Sequence, residues 1–121
     1  MRVFKSKWFN RFARREGIED DKLKAIVNEV LEADLADADY GGGVYKVRVA
    51  RPGEGKSGGY RVIVFFRVED KTLFHYGYPK SIRDNVSEKE LKTFKELSKL
   101  FLAISEQQLN EAVKSGRLTE I

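Results

Sequence analysis

The sequence predicts an α+β fold: an N-terminal helical hairpin packed on one face of a small antiparallel sheet, with further helices at the C-terminus. Three observations carry this reading. Apolar residues recur at helical spacing as far as Leu35. From Val44 the pattern changes to alternation and β-branched runs separated by turn residues. After Pro79, two Ser-x-x-Glu/Gln patterns reopen helical segments. The chain has 121 residues, 41% hydrophobic and 35% charged, which suits one globular domain spanning 1–121 with a heavily charged surface.

Met1–Phe4 reads as a short strand. From Lys5 onward, Trp8, Phe9, Phe12 and Ala13 share a helical face, and Gly17 supplies a stop. Ile18 and the acidic run Glu19–Asp21 open a second helix, where negative charge suits the positive end of the helix dipole. Its apolar stripe is Leu23, Ile26, Val27, Val30, Leu31 and Leu35. A tight link between two such helices predicts the hairpin. Gly41-Gly42-Gly43 then closes the helical half.

Val44–Ala50 alternates, with Tyr45, Val47 and Val49 on one face and Lys46 and Arg48 on the other. Arg51–Gly59 reads as a glycine-rich loop and Tyr60–Arg67 as a second strand. Glu69-Asp70-Lys71 makes a turn, and Thr72–Tyr78 forms a third strand ended by Pro79. Short connections predict an antiparallel meander. Ser87 and Glu90 form a capping-box pattern for a third helix with the core stripe Leu91, Phe94, Leu97, Phe101 and Leu102. Ser105 and Gln108 repeat it for a short fourth helix ending near Gly116, and Arg117–Ile121 is a terminal strand.

Composition excludes several chemistries. There is no cysteine, so disulfides, thiolate catalysis and cysteine-bound zinc are ruled out. A single histidine, His75, rules out a multi-histidine metal centre. No metal or other cofactor is expected. No apolar run approaches a membrane span, so the expectation is a cytoplasmic protein without a membrane partner.

Net charge is +4, but it is unevenly distributed. Residues 1–15 carry six basic and no acidic side chains, residues 16–39 two basic and nine acidic, and residues 44–61 five basic and one acidic. The central basic block suggests a polyanionic partner, and the acidic segment a face turned away from it. Within the block, alternation puts Lys46 and Arg48 on one strand face, Arg61 opens the next strand, and Lys56 lies in the loop between. Such a surface is either solvated or a phosphate-backbone site whose mutual repulsion an anion relieves. Gly58-Gly59 would let a phosphate backbone approach. The Gly55-Lys-Ser string is not a nucleotide phosphate loop, because Ala50 stands where that motif needs glycine and no helix follows.

Lys46-Val-Arg-Val-Ala-Arg51, Gly55-Lys-Ser-Gly-Gly-Tyr-Arg61 and Tyr78-Pro-Lys-Ser-Ile-Arg-Asp-Asn85 resemble the RelE/HigB group of bacterial type II toxins, within the RelE/ParE superfamily. The resemblance covers nearly the whole chain. It implies a metal-independent, ribosome-dependent endoribonuclease (an mRNA interferase) that inhibits translation and arrests growth. The implied partners are the ribosome, messenger RNA and a cognate antitoxin with a helix-turn-helix. Carried over by motif, Lys46, Arg48, Arg61, Lys80 and Arg83 are candidate catalytic residues, and Arg51 and Asn85 fall in the same strings as RNA-binding candidates. Several members place a tyrosine after the last basic cluster, where this chain has Asp84, Asn85, Val86 and Ser87. Tyr76 and Tyr78 offer stacking surface from the strand instead.

RNA is cleaved when its 2′-hydroxyl attacks the adjacent phosphate. The protein must accept a proton, stabilise the charged phosphorane and protonate the leaving 5′-oxygen. Arginine forks suit the second task, so Arg61 and Arg83 are read as charge stabilisers. A lysine crowded by cations suits the first, which points to Lys46 or Lys56. His75 is a candidate acid, or a structural strand residue sharing parity with Leu73 and Gly77. The basic residues Lys5, Lys7, Arg11, Arg14 and Arg15 around the first helix are either solvated or contacts for ribosomal RNA or an acidic antitoxin. The third-helix stripe is core, with a groove for antitoxin as the alternative. Two other functions fit the residue types: a gyrase poison of the ParE branch, and an RNA-binding module without activity.

Overall fold

A computed structural model describes residues 1–51 and 55–121, and for 55–57 the backbone alone. The chain is α+β, with four helices and a six-stranded sheet among the described residues. Strand β1 (Arg2–Ser6) precedes helices α1 (Lys7–Glu16) and α2 (Asp20–Ile26). Strands β2 (Ala38–Gly41), β3 (Val44–Arg51), β4 (Gly55–Arg67) and β5 (Lys71–Pro79) follow. Helices α3 (Glu88–Ala103) and α4 (Glu106–Lys114) and strand β6 (Leu118–Glu120) complete the chain. No helix among the described residues is long and apolar enough to cross a membrane.

The local signals act where expected. Ser6 caps α1 by accepting from the Phe9 N–H, and Gly17 ends it in the left-handed region at φ 71°. Both capping boxes form, Ser87 with Glu90 and Ser105 with Gln108. β3, β4 and β5 make the antiparallel meander.

Three expectations are corrected. The sheet is mixed, with strand order β2-β3-β4-β5-β1-β6 and β1 parallel to β5. No tight turn links β1 to β5, so their relative direction is not set by a hairpin. Second, the expected first strand runs on to Ser6, so Lys5 lies in β1 and pairs with Asp20 at 2.7 Å rather than opening the helical pair. α2 is short, passing into a widened π turn over Val27–Leu31, and Leu35 is 67% exposed rather than core.

Third, helices cover both faces. Phe9, Phe12, Leu23 and Ile26 of α1 and α2 pack with Val3, Val47, Val49, Tyr60, Val62, Val64 and Phe74. Phe94 and Phe101 of α3 and Leu109 of α4 pack with Phe4, Val44, Ile63, Phe65 and Leu73. The unbroken run Val62-Ile-Val-Phe-Phe66 requires this, because a strand apolar at both parities is buried on both sides.

The span read as a loop over Arg51–Gly59 is shorter. β4 already begins at Gly55, which pairs with Arg51. The strand β2 is additional to those the sequence predicts. It pairs with β3 and brings the end of the acidic segment onto the sheet.

Candidate nucleic-acid interface

Residues directly opposite in antiparallel strands share a face, so the register lays side chains in rows. Arg48 lies opposite Arg61, and Arg61 opposite Tyr78. The next row is Lys46, Ile63, Tyr76, and the row of Val44, Phe65 and Leu73 lies in the α3/α4 core. Along one face the sheet thus passes from an apolar end beneath helices to a cationic end.

A bulge in β5 brings Tyr76 and Tyr78 into these rows. The register shifts between Ile63 and Val64, leaving His75 as the extra residue. Strict alternation would put His75 with Gly77 and Tyr76 with Phe74. Instead Phe74 joins the α1/α2 core, and a Cβ at Gly77 would come within 2.7 Å of Phe12 on that side. His75 and Tyr76 both turn toward Phe94 on the α3 side.

The segment after β5 folds back over these rows. Lys46 Nζ donates to Asn85 Oδ1 at 2.8 Å, and the Tyr40 hydroxyl reaches the same oxygen at 3.4 Å. Arg83 donates from Nε to the Asn85 carbonyl at 3.1 Å, pairs with Glu90, and places its guanidinium 5.1 Å from the centre of the Tyr78 ring. The Tyr78 hydroxyl donates to the Asp84 carbonyl at 3.3 Å. Arg48 pairs with Asp37 at 2.7 Å. Lys80 is exposed in the turn beyond β5, and its backbone N–H donates to the Gly59 carbonyl at 3.1 Å.

Arg61 is not the surface cation that its place at a strand start suggested. It is 5% exposed, with Nη1 donating to the Tyr60 carbonyl at 3.4 Å. Gly59 is also explained differently: an added Cβ would meet the Val49 carbonyl at 2.1 Å, so glycine there serves the close approach of β3 at its bulge.

The charges are mutually adjusted. Arg83, with help from the Ser87 N–H, holds the Glu90 carboxyl down to about 2. Burial pushes the Tyr78 phenol up to about 12; the nearby Tyr40 adds to this, while Arg83 and Arg61 oppose it. Tyr78 therefore keeps its proton at neutral pH.

The structure brings Lys46, Arg48, Arg61, Tyr76, Tyr78, Arg83 and Asn85 to one end of one face. It does not bring Arg51 there. Arg51 lies over the Tyr60 ring, 5.5 Å from its centre and 3.9 Å from Glu16, toward α1. Nor does it bring His75, whose ring stacks on Phe65 at 4.8 Å in an apolar groove with Leu97, Leu100 and Phe101. Burial lowers its pKa, and its Nδ1 has no hydrogen-bond partner among the described residues. The side chain of Lys56 lies outside the described residues. Among those residues no group of three or more acidic or histidine side chains is placed to hold a metal ion.

Sequence reasoning missed Tyr40, Asp37 and Glu90. Asp37 lies in the tail of an acidic segment expected to face away, and Tyr40 just beyond that segment, in β2. Asp37 in fact neutralises Arg48 on the basic face. Glu90 was visible, but only as a capping residue.

A model of the RelE toxin of the RelE/RelB toxin-antitoxin system matches residues 1–121. No curated protein matches the chain. The whole-length match places this chain in the RelE family, as a toxin whose partner is an antitoxin.

Proposed function

We propose that the protein is a ribosome-dependent endoribonuclease of the cytoplasm that cuts messenger RNA and is silenced by its antitoxin. The observation supporting this reading is the convergence of Lys46, Arg61, Arg83 and Asn85 at the open cationic end of the sheet. In the proposed reaction Lys46, once its ammonium has passed a proton to solvent, accepts the 2′-hydroxyl proton as that oxygen attacks phosphorus. Arg61 and Arg83 hold the equatorial oxygens of the phosphorane, a role suited to the planar fork. The P–O5′ bond breaks, leaving a 2′,3′-cyclic phosphate, and the half-buried Tyr40 phenol protonates the departing 5′-oxygen. Tyr78, buried beneath Arg83, orients that guanidinium rather than meeting RNA. Arg48 and Lys80 track the flanking backbone.

Expression without antitoxin should arrest growth and translation. Primer extension on messenger RNA from the arrested cells should then show discrete cuts inside translated codons. Arrest without cuts, accompanied by blocked DNA replication, would instead assign a gyrase poison. Normal growth with soluble, folded protein would remove the toxin reading.

A further inference from the structure

Beside the cation cluster lies an apolar pocket of about 300 Å³, lined by Tyr76, Lys89, Glu90, Thr93 and Phe94. It shares two walls with the cluster. Glu90 is the ion-pair partner of Arg83. The Tyr76 ring is 6.1 Å from that of Tyr78, on which Arg83 lies. The Tyr76 and Phe94 rings are 5.8 Å apart and inclined at 35°, so they form an angled floor rather than a closed sandwich. On its other side Tyr76 rests against Trp8, at 4.6 Å, and Trp8 is itself 44% exposed. Phe94 closes the α3/α4 core and Tyr76 packs against it, but Tyr76 is only half-buried, so an aromatic edge bordered by cations is left at the surface.

We propose that this pocket receives one unstacked base of the RNA whose backbone the cations grip. The ring lies on Tyr76 and Phe94, with its polar edge toward Glu90 and Thr93. The inference rests on the RNA reading above and adds to it a base-binding site on α3. Three features favour a nucleobase as occupant. The neighbouring surface is complementary to phosphate. Aromatic floors beside a basic track are how proteins hold single-stranded bases. The volume lies at the small end of the ~300–1,000 Å³ typical of small-molecule sites. The edge groups also suit a base: Thr93 Oγ1 donates to the Lys89 carbonyl at 3.3 Å and retains lone pairs, and the Glu90 carboxylate accepts only.

The test compares oligoadenylate with an abasic ribose-phosphate oligomer of equal length and charge. Affinities are measured by calorimetry, and Trp8, the chain's single tryptophan, reports occupancy by fluorescence. Oligoadenylate should bind about ten-fold tighter or more and quench Trp8. Thr93 is exposed on α3, so Thr93→Phe fills the pocket from the surface without disturbing the core. That variant should bind oligoadenylate no better than the abasic oligomer, and bind the abasic oligomer as wild type does. Equal wild-type affinities for the two oligomers, or an undiminished preference in Thr93→Phe, would overturn the pocket while cuts in induced cells left the nuclease reading standing. Absence of binding to either oligomer, together with absence of cuts, would end both.

Discussion

On the α1/α2 face, β3 and β4 present Val47, Val49, Tyr60, Val62 and Val64, all buried. One residue along the same strands, the opposite face carries Lys46, Arg48 and Arg61 before turning apolar at Ile63 and Phe65. The first face is core along its length. The second is core at one end and a cation cluster at the other, because α3 and α4 cover only its apolar rows. Period-two alternation thus lets neighbouring residues serve stability and chemistry separately. The sharpest tests exchange those roles.

Phe74 and Tyr76 flank the bulge and sit on opposite faces. Phe74 is fully buried against Phe9. Phe74→Ala should cost about 3–5 kcal/mol, read as a large fall in the denaturant midpoint. Tyr76→Ala should cost much less and act on RNA binding. Equal losses would mean that the two faces are not separable.

Arg61 is where the separation fails. As a buried cation on the face proposed to bind RNA, it would belong to both roles. Arg61→Ala should lower cleavage by on the order of a hundred-fold, and should also lower stability by about 1–3 kcal/mol. Arg61→Lys should recover only part of the activity, since a point charge does not reproduce the fork. A variant with native stability and no activity would show that the guanidinium is accessible and purely functional. A fully active one would move the active site elsewhere.

The way this residue misled is instructive about what the sequence makes legible. The face of Lys46 and Arg48 follows from alternation alone, α1 from helical spacing, both capping boxes from their Ser-x-x-Glu/Gln patterns and the meander from short connections. The burial of Arg61 does not, because it depends on what lies over the strand. The His75 bulge is invisible to parity, since one extra residue reverses every assignment on one side of it. The cover on both faces was written in the run Val62–Phe66, whose lack of alternation is itself the signal. β2 could be found only through its partner: Ala38, Asp39 and Gly41 pair with β3 but carry no apolar stripe of their own.

A smaller effect distinguishes structural charge from functional charge within the cluster. Glu90 has its folded pKa depressed to about 2 from an ordinary 4.5. The stability it contributes is therefore present above pH ~4.5 and is lost as pH falls toward about 2. Its side chain is 34% exposed, so solvent screening keeps that contribution small. Glu90→Gln preserves the capping box, because glutamine serves at that position as well. Melting temperatures of the two proteins should converge at about pH 2 and separate above pH 4.5, with wild type higher. Parallel curves would mean that Arg83 is not held by this carboxylate in solution.

The smallest effect concerns Lys46, whose Nζ is held by Asn85 and, among the described residues, by no carboxylate. Arg48 meets Asp37 and Arg83 meets Glu90, so an incoming phosphate must displace an acid from either arginine. At Lys46 it need only displace a neutral amide. Lys46 should therefore count fully in the salt dependence of RNA affinity, while the paired arginines count less. On a plot of log affinity against log salt, Lys46→Ala should flatten the slope by roughly 0.7, the value for one phosphate contact on a single strand. Arg48→Ala should flatten it by less, and neither substitution should shift the melting temperature appreciably. If Arg48→Ala changes the slope as much as Lys46→Ala, its pairing with Asp37 gives way freely when RNA arrives. If neither changes it, the cationic end of this face is a solvated surface, and the contrast between the two faces is one of burial alone.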